Sequence, residues 1–303
     1  MDQHTPTTDE MFLIVFCVID ELYNQLVPDS VRYRPGHERI EFADSEVITL
    51  SIMQEALSND SELSFHRIVG KDHGHLFPKL LERSRYHRRR KALLGVQLHL
   101  LRHLMTMFKT LAAWLVVDSA PVETVAFVRS QSGKASIPEA AYGYIPTKKR
   151  HFFGFRLHLL ITNRGAVIDF VLSPADVGER AVAEHLLASQ AGATVLADNG
   201  YSGFWLENLF GRHNGRLWFG QRPSRLAQSK EAARLRRFQR GKRALIEAVF
   251  SMLTDQFTAE TTRSRSLMGL KTRVAAKLLS YNVSYFINQM LGRPALAMKS
   301  LYM

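Results

Sequence analysis

The sequence predicts an α/β domain preceded by an all-helical region, and three observations lead there. Helix caps and helical apolar spacing dominate roughly the first 110 residues. At Trp114 the texture changes to strand, hairpin, helix and strand. Carboxylates, Asp118 and Asp198, directly follow two of the strand-like runs. At 303 residues, 46% hydrophobic and 22% charged, the chain is ordinary globular material, long enough for one large domain or two small ones with a substantial core.

The first helix runs from Met11 to Leu26 and stops before Pro28, which cannot continue a helix interior. Its apolar stretch, Met11 to Ile19, is too short to span a bilayer. Asp9 and Glu10 precede it where a secretory signal would carry positive charge, so it reads as a buried helix. Asp44 and Ser45 are caps for a helix to about Leu57, with Glu46 in its first turn. Ser61 caps a short helix through Ile68. A longer helix from Arg89 to about Thr110 is apolar on nearly every face and is expected to be deeply buried. Two short helices followed by a basic turn (Arg85, Arg88, Arg89, Arg90, Lys91) fit a helix-turn-helix-like DNA contact, a pattern that many helical bundles share.

Trp114 to Val117 is a buried strand ending at Asp118. Residues 130–149, with Gly133, Pro138, Gly143 and Pro146, read as loop. Phe152–Thr162 is a strand, Asn163-Arg164-Gly165 a turn, and Ala166–Leu172 its hairpin partner. Pro174–Gly178 is a break, Glu179–Ser189 a helix, and Thr194–Ala197 a strand ending at Asp198. The last third is mostly helical, with one further strand at Arg216–Phe219. The divisions are a helical region over 1–110, a catalytic domain over 111–290 and a tail over 291–303.

Charge narrows the function. The chain carries a formal +12, yet residues 1–62 hold thirteen acids and three bases, which leaves the remainder at +22. A surface that basic suits a polyanion, and nucleic acid is the commonest. No lipidation signal or amphipathic terminal helix favours a membrane. The single cysteine, Cys17, excludes an intrachain disulfide and fits a reducing, cytoplasmic setting.

Beyond residue 62 there are fifteen acids, and three stand in apolar settings that make an unpartnered carboxylate costly. Asp118 follows Leu115-Val116-Val117, and Asp198 follows Val195-Leu196-Ala197. Glu247 lies among Ala244, Leu245, Ile246, Ala248, Val249 and Phe250. Three converging oxygen ligands suit Mg²⁺ or Mn²⁺. Two such ions support in-line phosphoryl displacement, with water and then a DNA 3′-hydroxyl as nucleophile. Singly, a strand-end Asp is often a turn residue and a helical Glu usually a solvated one.

Together, Val-Val-Asp118-Ser-Ala-Pro-Val, Ala-Asp198-Asn-Gly-Tyr and Arg-Ala-Leu-Ile-Glu247-Ala-Val-Phe resemble the acidic triad of bacterial insertion-sequence DDE transposases. The separations of 80 and 49 positions suit that family. Phe153 to Leu160 and Val171 to Asp176 are similar to its middle strands, and Asp44 to Ile48 and Tyr86 to Arg90 extend the likeness. The resemblance implies a ribonuclease-H-like core (a central mixed sheet flanked by helices), Mg²⁺ as cofactor, and an oligomer, a dimer, that pairs two transposon ends. Many relatives place a tyrosine and an arginine before the glutamate and a lysine after it. Here Arg243 fits the arginine, whereas Arg240 and Thr254 occupy the other two positions.

From Arg222 to Arg243 nine bases accompany one acid and lead into the Glu247 segment. Arg234, Arg236, Arg237, Arg240, Lys242 and Arg243 are therefore expected to contact DNA phosphates, as are Arg88, Arg89 and Arg90. Lys148, Lys149 and Arg150 are placed to reach DNA near Asp118. A second set, Arg263, Arg265, Lys271, Arg273 and Lys277, equally suits the rim of a surface helix. His99 and His103 have zinc-compatible spacing but read as core or interface residues. The function expected is metal-dependent cleavage and strand transfer of double-stranded DNA, transposon ends and target, by a nucleoid-associated cytoplasmic enzyme. A ribonuclease-H-like nuclease without strand transfer and a non-catalytic DNA-binding regulator are the alternatives.

Overall fold

A computed structural model describes residues 5–130, 137–146, 148–197, 201, 211, 215–219, 244–260, 262 and 264–302. The chain divides into two compact units, one of residues 105–252 and one of residues 1–104 with 253–303. The C-terminal segment thus belongs with the N-terminal helices, whereas the sequence grouped it up to residue 290 with the sheet.

The sheet unit holds six strands: β1 (Leu115–Glu123), β2 (Ala141–Ile145), β3 (Arg150–Thr162), β4 (Val167–Pro174), β5 (Thr194–Ala197) and β6 (Arg216–Phe219). The path runs β2-β3-β1-β5-β6, with β4 also on β3. β4, β3 and β1 pair antiparallel, and β5 and β6 continue from β1 in parallel. This mixed sheet with its helices is a ribonuclease-H-like core. Leu115, Val116 and Val117 and the run Leu157–Ile161 are buried without alternation, as expected of central strands covered on both faces. Helix Glu179–Ala188 buries Val182, Ala183, Leu186 and Leu187 and packs on β4.

The β3–β4 hairpin forms where Asn163-Arg164-Gly165 predicted it. Gly165 takes a left-handed φ of 90°, and the Thr162 hydroxyl accepts the amides of Arg164 and Ala166. Two differences stand out. β1 continues past Asp118 to Glu123, through Pro121. Among the described residues it has no register partner on β5 beyond Val117, so the N–H that Pro121 lacks leaves no described ladder bond on that side unmade. β2 lies in the stretch read as loop. Its Gly143 fits because any Cβ there would sit 2.5 Å from the Phe152 ring.

In the helical unit, α1 (Thr8–Leu26) starts with a capping box, Thr7 accepting the Glu10 amide and Glu10 the Thr7 amide. It buries one face (Met11, Phe12, Val15, Val18, Ile19, Tyr23) and exposes Leu13 and Cys17, so it is amphipathic rather than buried all round. The next long helix, Asp44–Ala56, is buried along nearly its whole length. Asp44 is its first residue and not its cap, since the carboxylate is taken by Arg34, Arg89 and Tyr23. Ser61 caps Glu62–Asp72 as expected. The helix expected from Arg89 to Thr110 is two helices, Arg83–Ala92 and Leu94–Lys109. The second buries Gln97, Leu100, Leu101, Leu104, Met105 and Phe108 and exposes Arg102 and His103, so only one face is covered. The C-terminal helix Leu267–Met290 packs on Asp44–Ala56 and Arg83–Ala92. Among the described residues no helix is long and apolar enough to cross a membrane.

Candidate active site

Asp118 stands mid-strand on β1, opposite Leu159 of β3. On the other side, the described parallel pairing with β5 runs to Val117 opposite Ala197. Asp198, next in the sequence after Ala197, lies outside the described residues. The Asp118 carboxylate is half-buried, and its Oδ1 accepts the Ser119 amide at 2.8 Å.

Around it is a polar cluster. The Ser119 hydroxyl donates to Glu179 Oε1 at 2.9 Å, and Arg156 lies 3.8 Å from the same carboxylate. Tyr201 is fully buried, its hydroxyl 3.1 Å from His158 Nδ1, while His158 Nε2 lies 3.2 Å from the Ser173 hydroxyl. Burial, then the charges of Glu179 and Asp118, push the Tyr201 hydroxyl pKa up. Burial, then Arg156, lowers that of His158 to about 4, so it is neutral at pH 7. Sequence reasoning missed Glu179, Arg156, His158 and Tyr201 as site residues. The available signals were a lone histidine within the apolar run Leu157–Ile161 and an acid directly after the Pro174–Gly178 break.

Glu247 lies in a helix spanning 244–255. Ile246, Val249 and Leu253 are buried while Ala244, Glu247 and Ala248 are exposed. The helix is amphipathic with Glu247 on its open face, not surrounded by apolar neighbours as expected. Among the described residues no three His, Cys, Asp or Glu gather as metal ligands. The acids that can contribute, Asp118 and Glu247 with Asp198 beyond them, are all-oxygen donors of the kind Mg²⁺ and Mn²⁺ take.

The basic residues divide by environment. Arg88 is exposed on Arg83–Ala92. Arg89 is bonded to Asp44 and to the Phe42 carbonyl. Arg90 departs from its expected role as a DNA contact. It is 2% exposed, and its guanidinium bonds Gln54 and Glu55. Glu55 is also held by Arg273 and by Lys277 at 2.7 Å. Burial works against its ionisation, but Lys277, Arg273 and Arg90 outweigh that and bring its pKa to about 2. Arg273 and Lys277 are thus internal ion-pair partners. Arg83, Lys91 and Arg265 line a cavity of about 530 Å³ in the same unit.

Lys148, Lys149 and Arg150 are exposed at the turn between β2 and β3. Arg150 is nine residues along β3 from Leu159, the partner of Asp118, roughly 30 Å at ~3.3 Å per residue. The reach to DNA near Asp118 expected of them would therefore span that length of strand. Arg234, Arg236, Arg237, Arg240, Lys242 and Arg243 lie outside the described residues, as does Arg263. His99 and His103 are both exposed, with His99 Nε2 3.1 Å from the Leu26 carbonyl.

A family model described as "Transposase DDE domain" matches residues 114–283. No curated protein matches the chain. A cryo-EM structure of the piggyBac transposase synaptic complex with hairpin DNA is similar to it at 11% identity and a TM-score of 0.49, over 96% of this chain and 77% of that one.

Proposed function

Because the chain belongs to the DDE transposase family, matched over more than half its length, we propose that Asp118, Asp198 and Glu247 form its acidic set and hold Mg²⁺ or Mn²⁺, two ions. One observation supports this: Val117 and Ala197 are register partners in parallel strands, and each is followed in the sequence by an aspartate, Asp118 and Asp198. Register partners on parallel neighbours such as Val117 and Ala197 lie ~4.8 Å apart, so the aspartates that follow them in the sequence are candidates for shared ligation.

Bound there, the ions would activate the attacking oxygen and stabilise the leaving one in an in-line displacement at phosphorus. The Ser119 amide orients Asp118, and the buried Tyr201–His158–Ser173 chain gives the site a fixed, uncharged wall. Water attacks first and a freed DNA 3′-hydroxyl attacks in joining, so the protein supplies no nucleophile. The ligand is double-stranded DNA, transposon ends and target, bound by a homodimer in the nucleoid. Arg88, Lys148, Lys149 and Arg150, with Arg234, Arg236, Arg237, Arg240, Lys242 and Arg243, are its phosphate contacts.

Strand transfer on candidate end sequences, with Mg²⁺ or EDTA, tests the reading by comparing the wild type with Asp198→Ala and Glu247→Ala. Joining that requires metal and both acids is the expected result. Metal-dependent hydrolysis without joining would make the protein a nuclease. DNA binding without either reaction would make it a regulator.

A further inference from the structure

The β2–β3 hairpin has two unlike faces. Along a strand, side chains alternate in direction, and one face of the hairpin packs inward through Ile145 and Phe152 against Ala175. The other face carries Tyr142 and Tyr144 from β2, with Phe153 and His151 as their respective register partners on β3. The rings touch in series. Tyr144 and His151 lie 4.8 Å apart between centroids, Tyr142 and Phe153 4.9 Å apart. Phe127 adds to the series, 5.8 Å from Tyr142 and stacked at 6.0 Å on His151. This is an aromatic surface and not a core: Tyr142 is 49% exposed and Tyr144 42%. Lys148 and Lys149, both exposed, border it at the turn, whereas Arg150, the register partner of Ile145, alternates to the other face and pairs with Glu123.

Aromatic cross-strand pairs stabilise a hairpin, which accounts for Phe153, buried at 7%. It does not account for two half-open tyrosines beside two exposed lysines. Exposed rings that offer flat faces, next to cations that track a backbone, are what single-stranded nucleic acid binds. Duplex DNA hides its base faces in the stack, so phosphate contacts alone would leave these rings unused.

We infer that this face binds unpaired nucleotides of DNA, stacking bases on Tyr142 and Tyr144 while Lys148 and Lys149 hold the adjoining phosphates. The inference rests on the proposed DNA-cutting function for its ligand, and adds that the strand freed by cleavage is held here. The register separates the turn from Asp118 by roughly 30 Å of strand, so the bound nucleotides lie several positions from the scissile phosphate.

The test measures binding of a single-stranded oligonucleotide carrying a fluorescent base analogue, and of a blunt duplex, to the wild type and four variants. Tyr142→Ala/Tyr144→Ala is expected to lose about tenfold or more in single-strand affinity, as stacked bases do when a ring is removed, and to lose the stacking-induced quench. Duplex affinity should change little. Tyr144→Phe keeps the ring and should bind as the wild type, whereas Tyr144→Leu should not. Lys148→Glu/Lys149→Glu should reduce the single-strand salt dependence by about 1.4 in log–log slope, ~0.7 per phosphate. Equal binding by Tyr144→Leu and Tyr144→Phe, or wild-type single-strand affinity in the double alanine variant, would overturn the inference. If the wild type still joins DNA in an Asp198-dependent way, that outcome leaves the proposed function standing. A wild type that neither cleaves nor binds DNA removes both.

Discussion

Glu55 and Asp118 are both carboxylates drawn into a protein interior, and their surroundings differ in kind. Glu55 is enclosed, with Arg90, Arg273 and Lys277 all within 2.8 Å of its oxygens. Asp118 is half-open, oriented by a backbone amide, with a second acid, Glu179, one hydrogen bond away through Ser119. A buried acid wrapped in cations has its charge fully answered and serves the fold. On the proposed reading, an oriented, part-exposed acid in an acid-bearing cluster takes an added cation and serves chemistry.

The largest effects should separate these roles completely. Asp118→Asn is expected to lower strand transfer by about four orders of magnitude, ~5.5 kcal/mol of barrier, while the unfolding free energy changes by less than ~1 kcal/mol. Glu55→Gln should do the reverse. Leaving three buried cations short of a partner costs about 3–5 kcal/mol of stability, read by denaturant titration, with activity per folded molecule retained. Loss of activity in folded Glu55→Gln, or of stability in Asp118→Asn, breaks the comparison.

The regions should also differ in acid. His158, in the Asp118 cluster, has its pKa lowered to about 4 from 6.5. The unfolded chain binds its proton first, so stability falls as pH drops from 6.5 towards 4 and is flat above that range. Glu55, lowered from 4.5 to about 2, contributes stability above pH 4.5 that is lost as pH falls towards 2. Each shift corresponds to roughly 3 kcal/mol. Denaturation monitored across pH should show two windows, the upper one removed by His158→Gln and the lower by Glu55→Gln. One merged window insensitive to either change contradicts this assignment.

Much of this was readable from the sequence, and the failures have physical causes. The strands around Asp118 announce themselves because central strands are apolar without interruption. Asn163-Arg164-Gly165 fixes its hairpin because the turn needs a left-handed residue, which Gly165 supplies. Pro28 marks the end of the first helix by local chemistry alone, whereas its start at Thr8, capped by Thr7, lies before the Met11 that the apolar run suggested. What stayed hidden depends on partners far away in sequence. Gly143 looks like a loop signal until Phe152 packs where its side chain would be. The end of the apolar run at Asp118 looks like a strand end until β1 is seen to stay paired with β3 as far as Glu123. The break at Leu93 has no proline or cap to mark it. Charge was the least legible property, because Arg90 and Lys277 look like surface bases until Glu55 is placed among them.

Arg88 and Arg90 reduce the comparison to two positions on one helix. They are two residues apart, which on a helix separates their side chains by about 200° and sends them to opposite sides. Arg88 points to solvent and Arg90 into the Glu55 cluster. Arg90→Ala should therefore be a stability mutation of several kcal/mol. Arg88→Ala should leave stability within about 0.5 kcal/mol and lower DNA affinity only a few-fold. Its signature is the salt dependence: loss of one phosphate contact reduces the slope of log affinity against log salt by about 0.9 on duplex DNA. An unchanged slope would place Arg88 outside the DNA footprint and leave the helical unit without a contact on this helix. A slope reduced by that amount would assign the exposed face of Arg83–Ala92 to DNA while its buried face serves the fold.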